Sequence, residues 1–217
     1  MRIDPVLADA LRVGTLRLEG VAVPARDEGT TAALNREAAR LRSAYEDLAV
    51  GSIPGVRAAR ELYHAIGLDP TKTRPSSEAL LRRALRRKPM PAVNGAVDAA
   101  NLVSLTLLLP VGLYDADAIR GEVEIRRGRP EEGYRGVDDG EVRLAGRIAV
   151  CDDDGPFGNP TRDSRRTCVT GRTTSLRFLL FAPAAAGSEA LRAALARAEA
   201  TFTRAVGGEA VETGIVP

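Results

Sequence analysis

The chain has 217 residues, of which 44% are hydrophobic and 28% charged, and its formal net charge is +2. That length supports one sizeable core, or one core with a small appendage, and the near-neutral balance excludes a global field drawing the whole molecule to a polyanion. Aromatic residues make up only 4% and Trp is absent, so the core must be built from Leu, Val, Ile and Ala. Lys occurs only at Lys72 and Lys88, and the remaining cations are Arg. The opening stretch MRIDPVLADALRVG has no long apolar run behind Arg2, so no signal peptide is expected. LVSLTLLLPVGL is apolar but broken by Pro110, well short of the roughly 18 apolar residues of a membrane span. The two cysteines, Cys151 and Cys168, make neither a disulfide framework nor a metal site. The expectation is a cytoplasmic protein with reduced thiols, no membrane partner and no cofactor.

Taken in chain order, LRVGTLRLEGVAV (Leu11–Val23) alternates apolar and polar residues and predicts a strand or hairpin. Leu34, Ala38, Leu41, Tyr45 and Leu48 recur at three and four residues, which predicts a helix from about Thr31 to Ala49. Ser52 and Pro54 suit the cap and first turn of a second helix. Its buried stripe is Val56, Ala59, Leu62, Tyr63 and Ile66, and Gly67 stops it. After the connector LDPTKTRPSS, a third helix is expected over Ser77 to Arg87. NGAVDAANLVSL threads Asn94, Asp98 and Asn101 through an apolar segment. The stretch from Asn94 to about Leu109 reads as a helix or an extended core element. Gly121 to Thr174 is turn-rich, with short β-like runs EVEIR, VRLAGRIAVC and TCVT, and TTSLRFLLFA predicts a further strand. Ser188 is expected to cap a last helix through Leu191, Leu195, Ala198 and Phe202, ended by Gly207 and Gly208. Helices at both ends of a β-rich middle argue an α+β fold, with residues 1–55 as an N-terminal strand and helix extension.

Charge is uneven along the chain. Arg57 to Lys88 carries nine Lys and Arg against three Asp and Glu, whereas Leu113 to Phe157 carries seven Arg against twelve Asp and Glu. The positive block is the candidate for gripping a polyanion, through Lys72, Arg74, Arg82, Arg83, Arg86 and Arg87. A run of exposed helix Arg is more often just a solvated face, although the density of Arg and the Lys72 and Arg74 arm narrow that preference.

Several chemistries are excluded. The one histidine, His64, falls about 140° from the centre of its helix's apolar stripe, so a surface position is expected rather than a Ser–His or Cys–His nucleophile system. Two distant cysteines and one histidine do not supply a zinc set. CDDDG at Cys151–Gly155 reads as a turn, and GRPEEGYR lacks the Lys and Ser/Thr of a phosphate loop. TRDSRRTCVTGRTTS (Thr161–Ser175) gathers Arg162, Asp163, Ser164 and Thr167 between two apolar runs. It is either a pocket rim able to bind a carboxylate, phosphate or ribose, or a solvated loop.

RPSSEALLRR (Arg74–Arg83), NGAVDAANLVSL and LPVGLYDADAIRGEVEIRRGRPEEGY (Leu109–Tyr134) together resemble the B3/B4 domain of the bacterial phenylalanyl-tRNA synthetase β subunit. The likeness runs roughly from Leu62 to Phe181 and rests on the order and spacing of these stretches. It implies a B3/B4-like domain over 56–217, contact with tRNA or aminoacyl-tRNA, and a pocket for an amino-acid-like small molecule. In that family the domain houses an editing site, which hydrolyses the ester of tyrosine wrongly attached to the phenylalanine tRNA. Asn101 matches the Asn that lines the family's pocket, with Asn94 and Asp98 bracing the turn around it. Gly112, Tyr114, Asp163, Ser164 and Thr167 complete the expected pocket. Where the family carries Thr and His this chain has Ala100 and Gly112, and the family's late-strand Glu falls in the apolar run LRFLLF. The resemblance implies a tRNA-binding protein, either a trans-acting deacylase of a mischarged aminoacyl-tRNA or a non-catalytic module holding tRNA or a small amino-acid-like ligand. A scaffold whose Arg face meets an acidic protein is the further alternative.

Overall fold

The apolar pattern of the strand at Ser175–Pro183 organises the molecule, because its side chains alternate between two separate cores. In the computed structural model, which describes residues 1–216, the elements run β1 (Arg2–Ile3), β2 (Leu11–Glu19), α1 (Glu28–Tyr45), α2 (Pro54–Ala65), α3 (Ser76–Leu85) and α4 (Gly95–Leu107). A β-rich stretch follows, with β3 (Val111–Asp115), β4 (Glu124–Arg127), β5 (Gly133–Arg135), β6 (Glu141–Arg143), β7 (Ile148–Asp152), β8 (Gly155–Gly158) and β9 (Ser175–Pro183). The chain closes with α5 (Ser188–Val206) and β10 (Glu209–Val216). One sheet has the order β1-β4-β7-β8, a second β10-β2-β9-β3, and β5-β6 forms a separate hairpin. The architecture is α+β.

Leu176, Phe178 and Leu180 of β9 join Leu16 and Leu18 of β2 in a core covered by α4 and α5. Leu179 and Phe181 point the other way and meet Leu11, Val13, Ile125 and Val150 in a core between the two sheets, closed by Leu62, Tyr63 and Ile66 of α2 and its end. Both faces of the second sheet are therefore buried, which explains why its inner strand β9 reads as a near-continuous apolar run. A third cluster packs Leu34 and Leu41 of α1 against Leu81 of α3 and Leu105 of α4. Residues 1–55 share these sheets and cores, since β2 is hydrogen-bonded to both β9 and β10.

Local chemistry accounts for most boundaries. Asp27 accepts a hydrogen bond from the Thr30 amide at 2.6 Å and so starts α1 three residues ahead of the expected Thr31. Of the expected Leu11–Val23, Leu11–Glu19 makes one strand, which stops before Gly20 with its φ of 69°. The last helix has Gly187 at its cap, and Ser188 is its first helical residue. Asn94 to Leu109 is resolved in favour of a helix. It ends at Leu108, whose φ of 54° is unusual for a residue with a Cβ. That conformation turns the chain into β3, and Ser104 Oγ donates to Leu109 O at 2.8 Å across the turn.

Candidate functional site

α4 is tied down at its start by two polar side chains. Asn94 Oδ1 accepts from the Val97 amide at 2.9 Å, and Asn94 Nδ2 donates to Val169 O at 3.4 Å. One turn on, Asp98 Oδ1 accepts from the Val93 amide at 3.0 Å. Burial pushes the Asp98 carboxyl up, and the Val93 amide and Arg26 draw it back. Asn101 follows on the same side of the helix and is half-buried.

Asn101 lines a cavity of about 690 Å³ bounded by α3, α4, β3 and the loop that follows β8. Its wall is largely apolar, with Leu80, Val97, Val111, Leu113 and Val169 prominent. Asp163 lines the same cavity. The loop is shaped by Asn159, whose Oδ1 accepts from the amides of Thr161 and Arg162, both at 2.8 Å. Tyr63 of α2 fastens it by donating to Pro160 O at 2.9 Å. Asp163 as a residue is half-buried, but its Oδ1 is sealed and has no hydrogen-bond partner, as is true of the buried Tyr114 hydroxyl beside it. Burial pushes the Asp163 carboxyl up to about 7, against the pull of Tyr114 and the Leu113 amide.

Strand alternation separates the remaining pocket candidates from the cavity. Val111 and Leu113 face it, whereas Gly112 and Tyr114 do not contribute to its wall. Tyr114 lies in the inter-sheet core, edge-on to Phe157 at 4.9 Å. Ser164 and Thr167 are buried, lie 3.0 Å apart hydroxyl to hydroxyl, and hold their loop together rather than lining the hollow. Cys168 does line it.

The cationic residues divide in the same way. Glu78, nearly fully buried on α3, is held by Arg60 Nε and Nη2 and by Arg82 Nε, each at 2.7 Å, with Arg74 Nε at 3.6 Å. Burial pushes the Glu78 carboxyl up, but Arg60 and Arg82 outweigh it and hold it below its ordinary value. Arg83 Nη2 donates to Pro89 O at 2.7 Å, while Arg86 and Arg87 are exposed. A second hollow, of about 440 Å³, is lined by Lys72, Arg74, Arg143, Arg147 and Arg162, with Glu141 as the one acidic residue in its wall. It shares Arg74, Thr161 and Arg162 with the apolar cavity, so a basic basin adjoins the pocket.

Residues 58–214, well over half the chain, match the B3/4 domain family. The chain belongs to that family. It is 33% identical over 105 residues to the phenylalanine–tRNA ligase β subunit of Mycoplasma genitalium, covering 48% of this chain and 13% of that protein. It is 34% identical over 93 residues to the same subunit of Streptomyces avermitilis, covering 42% of this chain and 11% of that protein. The chain thus spans a small fraction of the curated relatives it matches. An N-terminal fragment of the phenylalanyl-tRNA synthetase β subunit from Pyrococcus horikoshii shares the fold, with a TM-score of 0.50 at 12% identity over all of this chain and 53% of that one.

In this B3/4 domain Tyr114 fills the space that a side chain at Gly112 needs, since a Cβ on Gly112 would collide with its ring. The expectation that Asn101 and Gly112 share a pocket therefore gives way to Asn101 and Asp163. Arg165 and Arg166, in the expected rim, are paired with Asp139 and Asp152. His64 is exposed on α2. Among the described residues no cluster of His, Cys, Asp or Glu is placed to hold a metal ion, and no helix is long and apolar enough to cross a membrane. No local pattern in the sequence singles out Arg143 and Arg147. They belong to the β5–β6 hairpin region and reach the basin only through tertiary packing.

Proposed function

We propose that this B3/4 domain binds the 3′ end of a tRNA with its acyl group in the apolar cavity, and hydrolyses the ester of a mischarged aminoacyl-tRNA. The observation that carries the reading is the juxtaposition of a largely apolar cavity of about 690 Å³ with a basin of five cations. Phosphates suit the basin and an acyl side chain suits the cavity. The relatives from Mycoplasma genitalium and Streptomyces avermitilis are tRNA ligase subunits, which supports tRNA as the partner class.

Hydrolysis requires no protein nucleophile. Water adds to the acyl carbonyl, the bond to the ribose oxygen breaks, and the amino acid and a free ribose hydroxyl leave. The protein's task is to place the water and stabilise the developing oxyanion. Asn101 is the cavity's amide donor for that task. The test is ester loss from a panel of tRNAs mischarged with different amino acids, with buffer as the reference. At least one member should decay faster with protein, and Asn101→Ala should slow that decay by about 100-fold. If every member decays at the buffer rate, hydrolysis is rejected.

Ala100 and Gly112, where the family has Thr and His, favour a second reading: a module that holds the same tRNA end without turnover. Binding of amide-linked, non-hydrolysable analogues together with no ester loss would select it.

A further inference from the structure

Asp163 is the one acidic residue in the wall of the apolar cavity. Its Oδ1 is sealed within the protein and accepts no hydrogen bond. A buried acceptor left without a donor costs free energy, and a carboxylate in apolar surroundings costs more. The charged groups around it do not relieve that cost. Arg162, next in sequence, is turned to Asp138 at 3.2 Å. Arg74 leans on Glu78 at 3.6 Å, and Arg83 donates to Pro89 O at 2.7 Å. Tyr114 of β3 and Tyr134 of β5 face the carboxyl, and burial pushes both phenols up, so they stay neutral while Asp163 titrates. Cys168 lines the same cavity. The cavity therefore presents one carboxyl with no cation paired to it, in a position to receive one.

We propose that Asp163 recognises the α-ammonium group of the bound acyl moiety, so that the pocket takes aminoacyl esters with a free amine in preference to N-blocked or α-hydroxy acyl esters. This rests on reading the cavity as an aminoacyl site. An ammonium there meets the part of the half-buried carboxyl that lines the cavity and brings a neutralising charge, and such charge-assisted contacts are the strongest class of hydrogen bond available to a carboxylate. Asp163 is a specificity residue in this scheme. It does not take part in bond making. Binding is linked to pH, because a protonated Asp163 must release its proton before it can pair with the ammonium.

The test uses 3′-amino-3′-deoxyadenosine amides carrying alanyl, valyl, threonyl, phenylalanyl or tyrosyl groups, each beside its α-hydroxy acyl counterpart. Affinities are measured by calorimetry on the parent chain and Asp163→Asn. At about pH 7.5, where an α-amino group is still substantially protonated, the parent should bind the best amino member at least about tenfold more tightly than its hydroxy counterpart. The gap should narrow at about pH 5.5, below the Asp163 value of about 7. Asp163→Asn should show no gap at either pH. Equal binding of both counterparts by the parent overturns the role of Asp163 and leaves the cavity reading intact, and this comparison needs no variant. A gap that survives in Asp163→Asn overturns it as well. Failure of every pair to bind overturns the cavity reading and this inference together.

Discussion

A Cβ on Gly112 would be driven into the ring of Tyr114 from one edge, and a Cβ on Gly158 would meet the same ring from the other. Tyr114 is fully buried, so it has nowhere to retreat. Gly112→Ala should therefore destabilise the chain by about 1–3 kcal/mol through overpacking. The measurement is a urea midpoint that falls with an unchanged m-value. Parent-like stability in the variant would mean that the ring is free to move and that the glycine is not required by packing. The same residue shows how far sequence reaches at this scale. The spacing of Asn94, Asp98 and Asn101 is visible as one helical face. Matching to a family column places Gly112 in the pocket, whereas strand alternation turns Val111 and Leu113 to the cavity and Gly112 away from it. Asp163 is legible in the sequence only as part of a polar loop. What singles it out is its orphaned Oδ1 beside Tyr114, and that depends on β3 and the loop after β8 meeting in three dimensions.

At the scale of elements, α3 is held to α2 by charge. Arg60 of α2 grips Glu78 of α3 with two hydrogen bonds of 2.7 Å, and Arg82 adds a third from the same helix. Glu78→Gln should cost about 1–3 kcal/mol, since it weakens charge-assisted bonds to a buried acceptor. The pH dependence has a definite sign. The folded carboxyl lies below its ordinary value of 4.5, so its contribution is complete above that value and is lost as the pH falls through the depressed one. Parent and Glu78→Gln should thus differ most in thermal midpoint near neutrality and converge in acid. A difference that is constant across the acid range would place the stabilisation in packing instead. Sequence displays the Glu78–Arg82 half of this cluster, at a spacing of i to i+4. It conceals Arg60, which arrives from another helix. That is why the Arg-rich helix reads as a free phosphate grip when Arg82 is already engaged. The helices themselves are legible from periodicity, including the buried stripe of α2. β10 is not, because its pairing with β2 shifts register between Ala210 and Glu212 and the bulge breaks the two-residue alternation that marks a strand.

At the scale of the whole molecule, the layers decide where a polyanion can lie. Helices α4 and α5 cover one face of the second sheet, the first sheet covers the other, and the cavity opens where α3, β3 and the loop after β8 meet. The cations beside that opening come from three places: Lys72 and Arg74 before α3, Arg143 and Arg147 around the end of the β5–β6 hairpin, and Arg162 of the loop. Arg86 and Arg87 lie exposed beyond the end of α3 and do not line the basin. If an RNA 3′ end enters the cavity as proposed, its phosphates must cross the basin rather than the far end of α3. An acceptor-stem minihelix should then bind the Arg143→Glu/Arg147→Glu double variant roughly tenfold more weakly, with a salt slope shallower by about one unit for each phosphate no longer neutralised. The Arg86→Glu/Arg87→Glu double variant should keep both the affinity and the slope of the parent. The reverse result would put the RNA on the exposed helix end and separate it from the cavity. Both variants change surface charge equally, from +2 to −2 at the mutated pair, so a general electrostatic effect predicts equal losses. Only a located phosphate track predicts unequal ones.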